Sequence, residues 1–145
     1  MQRPTNEPIG RQLARTAKQV SRAFERALAD AGGSGPTWLI LLALKTRDWK
    51  TQAELARELG IERPTLTHHL RALERDGLVA RERDPDNLRA QRMSLTAEGD
   101  AAFGRLRAAA VGFDRRLRAG LGEDDLVRLR ELLETLAANA AEPAG

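Results

Sequence analysis

The two histidines, His68 and His69, are the side chains best suited to acid–base chemistry or metal binding, and they are neighbours in the sequence. Successive residues of an α-helix point about 100° apart, so one helix face cannot offer both histidines to a single metal ion. The 145-residue chain has no cysteine, which excludes disulfides, thiolate nucleophiles and cysteine-ligated zinc. It also has no tyrosine, and its few serines lie far along the chain from the histidines. We therefore expect no cofactor, no metal site and no enzymatic activity.

A helix predicted from Glu62 to about Asp76 carries polar groups that could recognise another molecule. With Leu66 at the origin of the helical wheel, Leu70 and Leu73 fall within about 40° of it and define a core face. The opposite face offers hydroxyls, an imidazole and guanidinium groups, which suit base edges and phosphates in a DNA major groove. The alternative is a polar helix face that is merely solvated. The predicted contact residues on this helix are Arg63, Pro64, Thr65, Thr67, His68, Arg71 and Arg75.

A short hairpin is predicted after Gly77, with strands over 78–83 and 89–95 and a turn over 84–87. Its arginines could lie along a phosphate backbone, with Arg89 reaching into a narrow minor groove. The alternative is surface charge paired with nearby acids, since residues 63–92 hold only two more arginines than acidic residues. The hairpin residues predicted to contact DNA are Arg83, Arg89 and Arg92, of which Arg89 and Arg92 lie at or near the tip. Arg81 lies on the same strand as Arg83 and could also follow the phosphate backbone.

The elements that must position these groups are marked by local signals. Thr51 followed by Glu54 is typical of a helix start, and Gly60 ends that short helix. A tight turn then leads to the helix from Glu62, so the two form a helix-turn-helix candidate. The apolar run 38–44 predicts a buried helix capped by Ser34.

Long helices flank this central segment. Apolar residues recur every three or four positions from Ile9 to about Ala31, and again over 103–117 and 126–140. Such stripes need partner helices, which a chain this short does not itself supply. The composition (41% hydrophobic, 31% charged, net charge +3) fits a single soluble domain over residues 1–145. The longest apolar run has seven residues and the first residues lack a signal-peptide pattern, so we expect a cytoplasmic protein.

The chain resembles the multiple antibiotic resistance regulator (MarR) family of winged helix-turn-helix transcription factors. The residues that carry the resemblance are the runs 38–44, 54–61, 64–70, 73–79 and 83–85, and the sequence Leu95-Thr96-Ala97-Glu98-Gly99. Their order and spacing extend over nearly the whole chain.

The resemblance implies a mainly α fold with a small β-hairpin wing and long N- and C-terminal dimerisation helices. These helices would span 6–31 and 97–142, and the winged helix-turn-helix DNA-binding lobe would span 36–95. It also implies a homodimer that represses transcription from a pseudo-palindromic operator, with small aromatic or phenolic acids as inducers. A two-fold dimer would present two recognition helices to half-sites about 10 bp apart.

Two features qualify what the resemblance implies. The family's wing often carries Asp-x-Arg, whereas the matching residues here are Asn87-Leu88-Arg89, so Arg89 is less firmly aimed unless Asp86 substitutes. The absence of cysteine excludes the family's peroxide-sensing branch.

By position, Arg11 and Arg15 could hold the carboxylate of an effector, and Trp38 could stack on its ring. The alternative is a core tryptophan beside solvated arginines. Two other functions stay open: a winged-helix dimer that binds protein as an adaptor, and a small-molecule sensor without DNA contact.

Overall fold

The computed structural model describes residues 6–47, 51–141 and 143, and it leaves out the side chains of Asp84 and of residues 87–90. Six helices and two strands follow one another along the chain: α1 Ile9–Asp30, α2 Gly35–Thr46, α3 Gln52–Leu59, α4 Arg63–Arg75, β1 Val79–Asp84, β2 Asn87–Leu95, α5 Ala97–Leu117 and α6 Glu123–Ala141. This confirms the predicted mainly α fold with a β-hairpin wing. Glu142, the predicted end of the last dimerisation helix, lies outside the described residues.

Side-chain caps start α2 and α3 where the sequence predicts them. The Ser34 hydroxyl accepts a hydrogen bond from the Thr37 amide (3.3 Å), and the Thr51 hydroxyl accepts one from the Glu54 amide (3.1 Å). Each cap satisfies an amide that the first helical turn leaves without a partner. Gly60 ends α3 with φ of 64°, a left-handed conformation that glycine adopts without the steric cost a Cβ would bring.

The chain forms two compact units, Met1–Phe113 and Asp114–Gly145. The first unit holds the hydrophobic core, to which α1, α2, α3 and α4 each contribute fully buried side chains. These are Leu28, Ile40, Leu41, Leu55, Leu66 and Leu70. The predicted burial of the run 38–44 is correct for Ile40, Leu41, Ala43 and Leu44. Trp38 and Leu42 are half-buried, and Leu39 keeps 42% of its surface exposed, so one apolar edge of α2 stays open.

The junction between the wing and α5 is tied by Thr96. Its amide donates to the Leu78 carbonyl (3.1 Å), and its hydroxyl donates to the Gly77 carbonyl (2.5 Å). The same hydroxyl accepts from the Gly99 amide (3.0 Å), which caps α5. Helix α5 approaches the chain so closely here that a Cβ on Gly99 would lie 1.9 Å from the Leu78 carbonyl oxygen.

The second unit consists of the end of α5 and α6. Several large apolar side chains of α6 are exposed, namely Val127, Leu129, Leu132 and Leu133. Among the described residues no single helix is long and apolar enough to cross a membrane, although α1 and α2 would reach that limit if taken together across their 73° bend.

Candidate nucleic-acid interface

Helix α4 buries one face and exposes the other, as its sequence pattern predicts. Leu66, Leu70 and Leu73 are buried against the core. The polar groups on the other side are exposed to solvent, and Pro64 lies within the first turn, where its missing amide hydrogen costs nothing. The exposed members of the predicted contact set on α4 are Arg63, Pro64, Thr65, His68, Arg71 and Arg75.

Thr67 is the exception on this helix, because it is half-buried and already hydrogen-bonded. Its hydroxyl donates to the Arg63 carbonyl (2.9 Å) and accepts from the side-chain amide of Gln52 on α3. Thr67 therefore joins the two helices of the helix-turn-helix in addition to any contact it makes with DNA.

His69 is half-buried, at the margin of the core face that Leu66, Leu70 and Leu73 form. Its ring meets the ring of His68 edge-on, with 5.8 Å between centroids. Among the described residues, no group of three or more histidine, aspartate or glutamate side chains could hold a metal ion.

The wing is an antiparallel hairpin in which β1 pairs with β2 from Val79 opposite Leu95 to Arg83 opposite Gln91. The pairing shifts between Arg83 and Asp84, next to the turn. A two-stranded hairpin is marginally stable by itself, so its contacts with the helices decide how firmly it is held.

The three predicted wing contacts differ in what the structure says of them. Arg83 is exposed. Arg92 is half-buried and pairs opposite Glu82, so it does not lie at the very tip of the hairpin. Its Nε atom is buried and has no hydrogen-bond partner among the described residues. The side chain of Arg89 lies outside the described side chains, as does that of Asn87, so the altered Asp-x-Arg pattern stays a prediction.

Arg81, on the same strand as Arg83, has hydrogen-bond acceptors within the chain, so its contact with a phosphate backbone stays a prediction. Its Nε atom donates to a carboxylate oxygen of Glu74 on α4. Its Nη1 atom donates to Gln91 on β2 (3.2 Å) and to Gln52 on α3 (3.5 Å). The sequence carries no local signal for this cluster, because its partners lie 7, 10 and 29 residues away.

An open cleft of about 360 Å³ lies between the helix-turn-helix and the wing. Hydrophobic, polar and basic side chains share its walls. The residues that line it are Thr51, Gln52, Ala53, Arg63, Arg81, Gln91 and Met93.

The predicted effector residues all have partners within the chain. Arg15 pairs with Glu7 at 2.9 Å, and Arg11 lies 3.9 Å from the same carboxylate, which is only 14% exposed. Trp38 stacks on Phe103 with 5.7 Å between ring centroids and 7° between ring planes. The two arginines thus share one acid, whereas Trp38 belongs to an aromatic pair that joins α2 and α5.

Known proteins share both the sequence pattern and the fold of this chain. A family model described as "MarR family" matches residues 34–90. An uncharacterized HTH-type transcriptional regulator from Bacillus subtilis, YwoH, is 26% identical over 120 residues, which are 83% of this chain and 87% of that protein.

Two solved structures in complex with DNA are also similar to most of the chain. The transcriptional repressor CouR, bound to a 23-mer duplex, has a TM-score of 0.79 and 30% identity, covering 94% of this chain and 99% of its own. The transcriptional regulator MosR from M. tuberculosis, in complex with DNA, has a TM-score of 0.68 and 31% identity, covering 94% of this chain and all (100%) of its own.

Proposed function

Because the chain belongs to the MarR family of transcription regulators, we propose that it is a homodimeric repressor that binds a pseudo-palindromic operator and is released by a small aromatic or phenolic acid. The observation that carries the proposal is the exposed polar face of α4 next to a wing with an exposed arginine. Relatives with this fold and at least 30% identity are known bound to DNA, and one of them is named a repressor.

In this proposal α4 is the recognition helix and enters the major groove. Thr65 and His68 carry a hydroxyl and an imidazole on its exposed face and contact base edges. The cationic side chains neutralise phosphates on both sides of the groove and set the register of the complex. The phosphate-contacting residues are Arg63, Arg71, Arg75, Arg83, Arg89 and Arg92, with Thr67 and Pro64 beside them.

The dimer rests on the long terminal helices. Four large apolar side chains of α6 are at least 41% exposed in the single chain, and Leu117 and Leu121 before it are similarly open. Burying them against a second copy removes this apolar surface from water. Two-fold symmetry then gives two recognition helices for the two halves of the operator.

An effector carboxylate would bind Arg11 and Arg15, and its ring would stack on Trp38. To do so it must displace Glu7 from Arg15, and it must use the face of Trp38 that Phe103 does not cover. Saturating salicylate is the test compound: we expect a higher melting temperature and a weaker complex with DNA. If both stay unchanged, the effector part of the proposal is wrong.

Binding an operator requires access to the chromosome, so we propose a cytoplasmic location.

The proposal is tested by fluorescence anisotropy of the purified protein with duplexes that tile the DNA upstream of its own gene, over a series of salt concentrations. We expect tight binding to one pseudo-palindrome, with a slope of log affinity against log salt near −0.9 for each phosphate neutralised. Equal and weak binding to every duplex would contradict an operator there and favour an adaptor that binds protein.

A further inference from the structure

We propose that Arg81 is a positioning residue that fixes the wing to the helix-turn-helix, so that wing and recognition helix meet DNA in one preset relation. This inference rests on the proposed function and names a residue that acts through others, not one that contacts DNA itself. It comes from the cluster formed by Arg81, Glu74, Gln91 and Gln52, which we call the wing clamp.

The wing clamp joins four elements through one guanidinium group. The side chain of Arg81, which lies on β1, donates a hydrogen bond from Nε to the carboxylate of Glu74 on α4. Its Nη1 atom reaches Gln91 on the neighbouring strand β2 at 3.2 Å and Gln52 on α3 at 3.5 Å. Gln52 in turn donates to Thr67, so the cluster extends into the middle of the recognition helix.

The burial of the ion pair favours a positioning role over a phosphate contact. The side chains of Arg81 and Glu74 are 26% and 32% exposed, so water screens their attraction less than that of a pair at the open surface. Two nitrogens of the guanidinium are already committed to protein acceptors. An arginine can hold several acceptors in fixed directions, whereas the single ammonium group of a lysine cannot reproduce that fork.

Preset geometry matters because the wing is only a two-stranded hairpin. Without anchoring, its orientation would have to be fixed at the moment of binding, and that loss of freedom would weaken the complex. The wing clamp fixes the hairpin before DNA arrives. Its loss should therefore weaken DNA binding through the wing even though no clamp residue contacts DNA.

The sharpest test uses a substitution for which long-range electrostatics and loss of positioning predict opposite changes in operator affinity. Glu74→Ala removes a negative charge near a polyanion, so long-range electrostatics alone predicts tighter operator binding. Loss of the wing clamp predicts the reverse, and we expect operator affinity to fall roughly tenfold. Asp76→Ala is the matched control, because Asp76 is an exposed acid at the end of the same helix and its loss changes the net charge equally. We expect the control to bind as tightly as the wild type or slightly tighter. If the Glu74→Ala protein binds the operator no more weakly than the Asp76→Ala protein, the proposal is overturned.

Two further variants separate positioning from charge and from folding. Arg81→Lys keeps the positive charge and loses the fork, so it should weaken binding about as much as Glu74→Ala; wild-type affinity in this variant overturns the proposal. In a background lacking Arg83, Arg89 and Arg92, the wing has lost its proposed DNA contacts, and Glu74→Ala should then change affinity less than twofold. A full tenfold loss in that background means that Glu74 acts outside the wing, which also overturns it. Thermal unfolding of every variant checks that the chain is folded.

Hydrogen exchange of the free protein tests the wing clamp without DNA. Glu74→Ala should speed the exchange of amides in β1 and β2, and Asp76→Ala should not. Unchanged exchange in the wing overturns the positioning role whatever the chain binds. A wild-type chain whose wing is protected but which binds no duplex contradicts the proposed function alone.

Discussion

The side-chain amide of Gln52 donates a hydrogen bond to the hydroxyl of Thr67, which links the first turn of α3 to the second turn of α4. Thr67 donates its own proton to the Arg63 carbonyl. A hydroxyl has one donor and two acceptor sites, so Thr67 keeps a single acceptor site. From DNA it could accept a hydrogen bond from cytosine N4 or adenine N6, but it has no proton left to donate to guanine.

Replacing Thr67 by valine should therefore destabilise the fold. The substitution keeps the shape but leaves the Gln52 amide without its acceptor in a half-buried site, which costs about 1–3 kcal/mol. Urea unfolding measures this loss. Thr65→Val is the matched control, because Thr65 is exposed two residues earlier on the same helix, and its free energy of unfolding should change by less than about 0.5 kcal/mol. Equal stability losses in the two variants would contradict the assignment.

His68→Ala should lower affinity for the operator more than affinity for unrelated duplexes. The imidazole is exposed on the recognition helix, where we propose that it contacts base edges, and such a contact contributes about 1–3 kcal/mol of discrimination. Anisotropy titrations with the operator and with a scrambled duplex of equal length measure the difference. An equal loss on both duplexes would mean that His68 does not read sequence.

Arg89→Ala should weaken binding to every duplex by a similar factor. We propose that this arginine enters the minor groove through the wing and neutralises phosphate charge. Its removal should reduce the slope of log affinity against log salt by about 0.9. An unchanged slope, or a loss confined to the operator, would contradict this role.

Leu133→Asp should convert the dimer into monomers. Leu133 is 41% exposed in the single chain, and the proposed dimer buries it, where an unpaired carboxylate is costly. Sedimentation equilibrium measures the change in mass, and operator affinity should fall with it. Arg130→Gln, an exposed polar position on the same helix, should remain a dimer. A Leu133→Asp protein that sediments as a dimer would exclude this face from the interface.

Gly99→Ala should destabilise the protein by about 1–3 kcal/mol, because the new Cβ would overlap the Leu78 carbonyl and force the backbone to shift. Gly104→Ala on the same helix meets no atom within 4 Å, so it should be neutral or stabilise by up to about 1 kcal/mol. Thermal unfolding of the pair measures both effects. A neutral Gly99→Ala would show that α5 does not approach Leu78 so closely.

Local signals in the sequence were sufficient for most of the fold. The hydroxyls of Ser34 and Thr51 and the glycine at position 60 act within one helical turn, so their roles can be predicted from neighbouring residues alone. The leucines of α4 were equally predictable, because helical periodicity decides which side faces the core.

The wing clamp was not predictable, because it depends on how β1 packs against α3 and α4. Arg81 looks in the sequence like any other arginine of a basic hairpin, and only tertiary structure brings Gln52 to it from 29 residues away. The same reason explains why the bond between Gln52 and Thr67 was not predicted. The helical position of Thr67 predicts an outward direction, but the neighbouring helix covers that side of it.

The hydrogen bonds of Thr96 to the Gly77 and Leu78 carbonyls fix the start of α5 to the residues that lead into the wing, so they set the direction in which α5 leaves. The helix runs for 21 residues beyond Thr96, which is about 31 Å at 1.5 Å per residue. A tilt of about 10° at Thr96 would move the far end of such a helix by roughly 5 Å. In the proposed dimer, substitutions along α5 would therefore change the distance between the two recognition helices without altering the residues proposed to contact bases. The spacing of the two operator halves and their base sequence would then evolve separately.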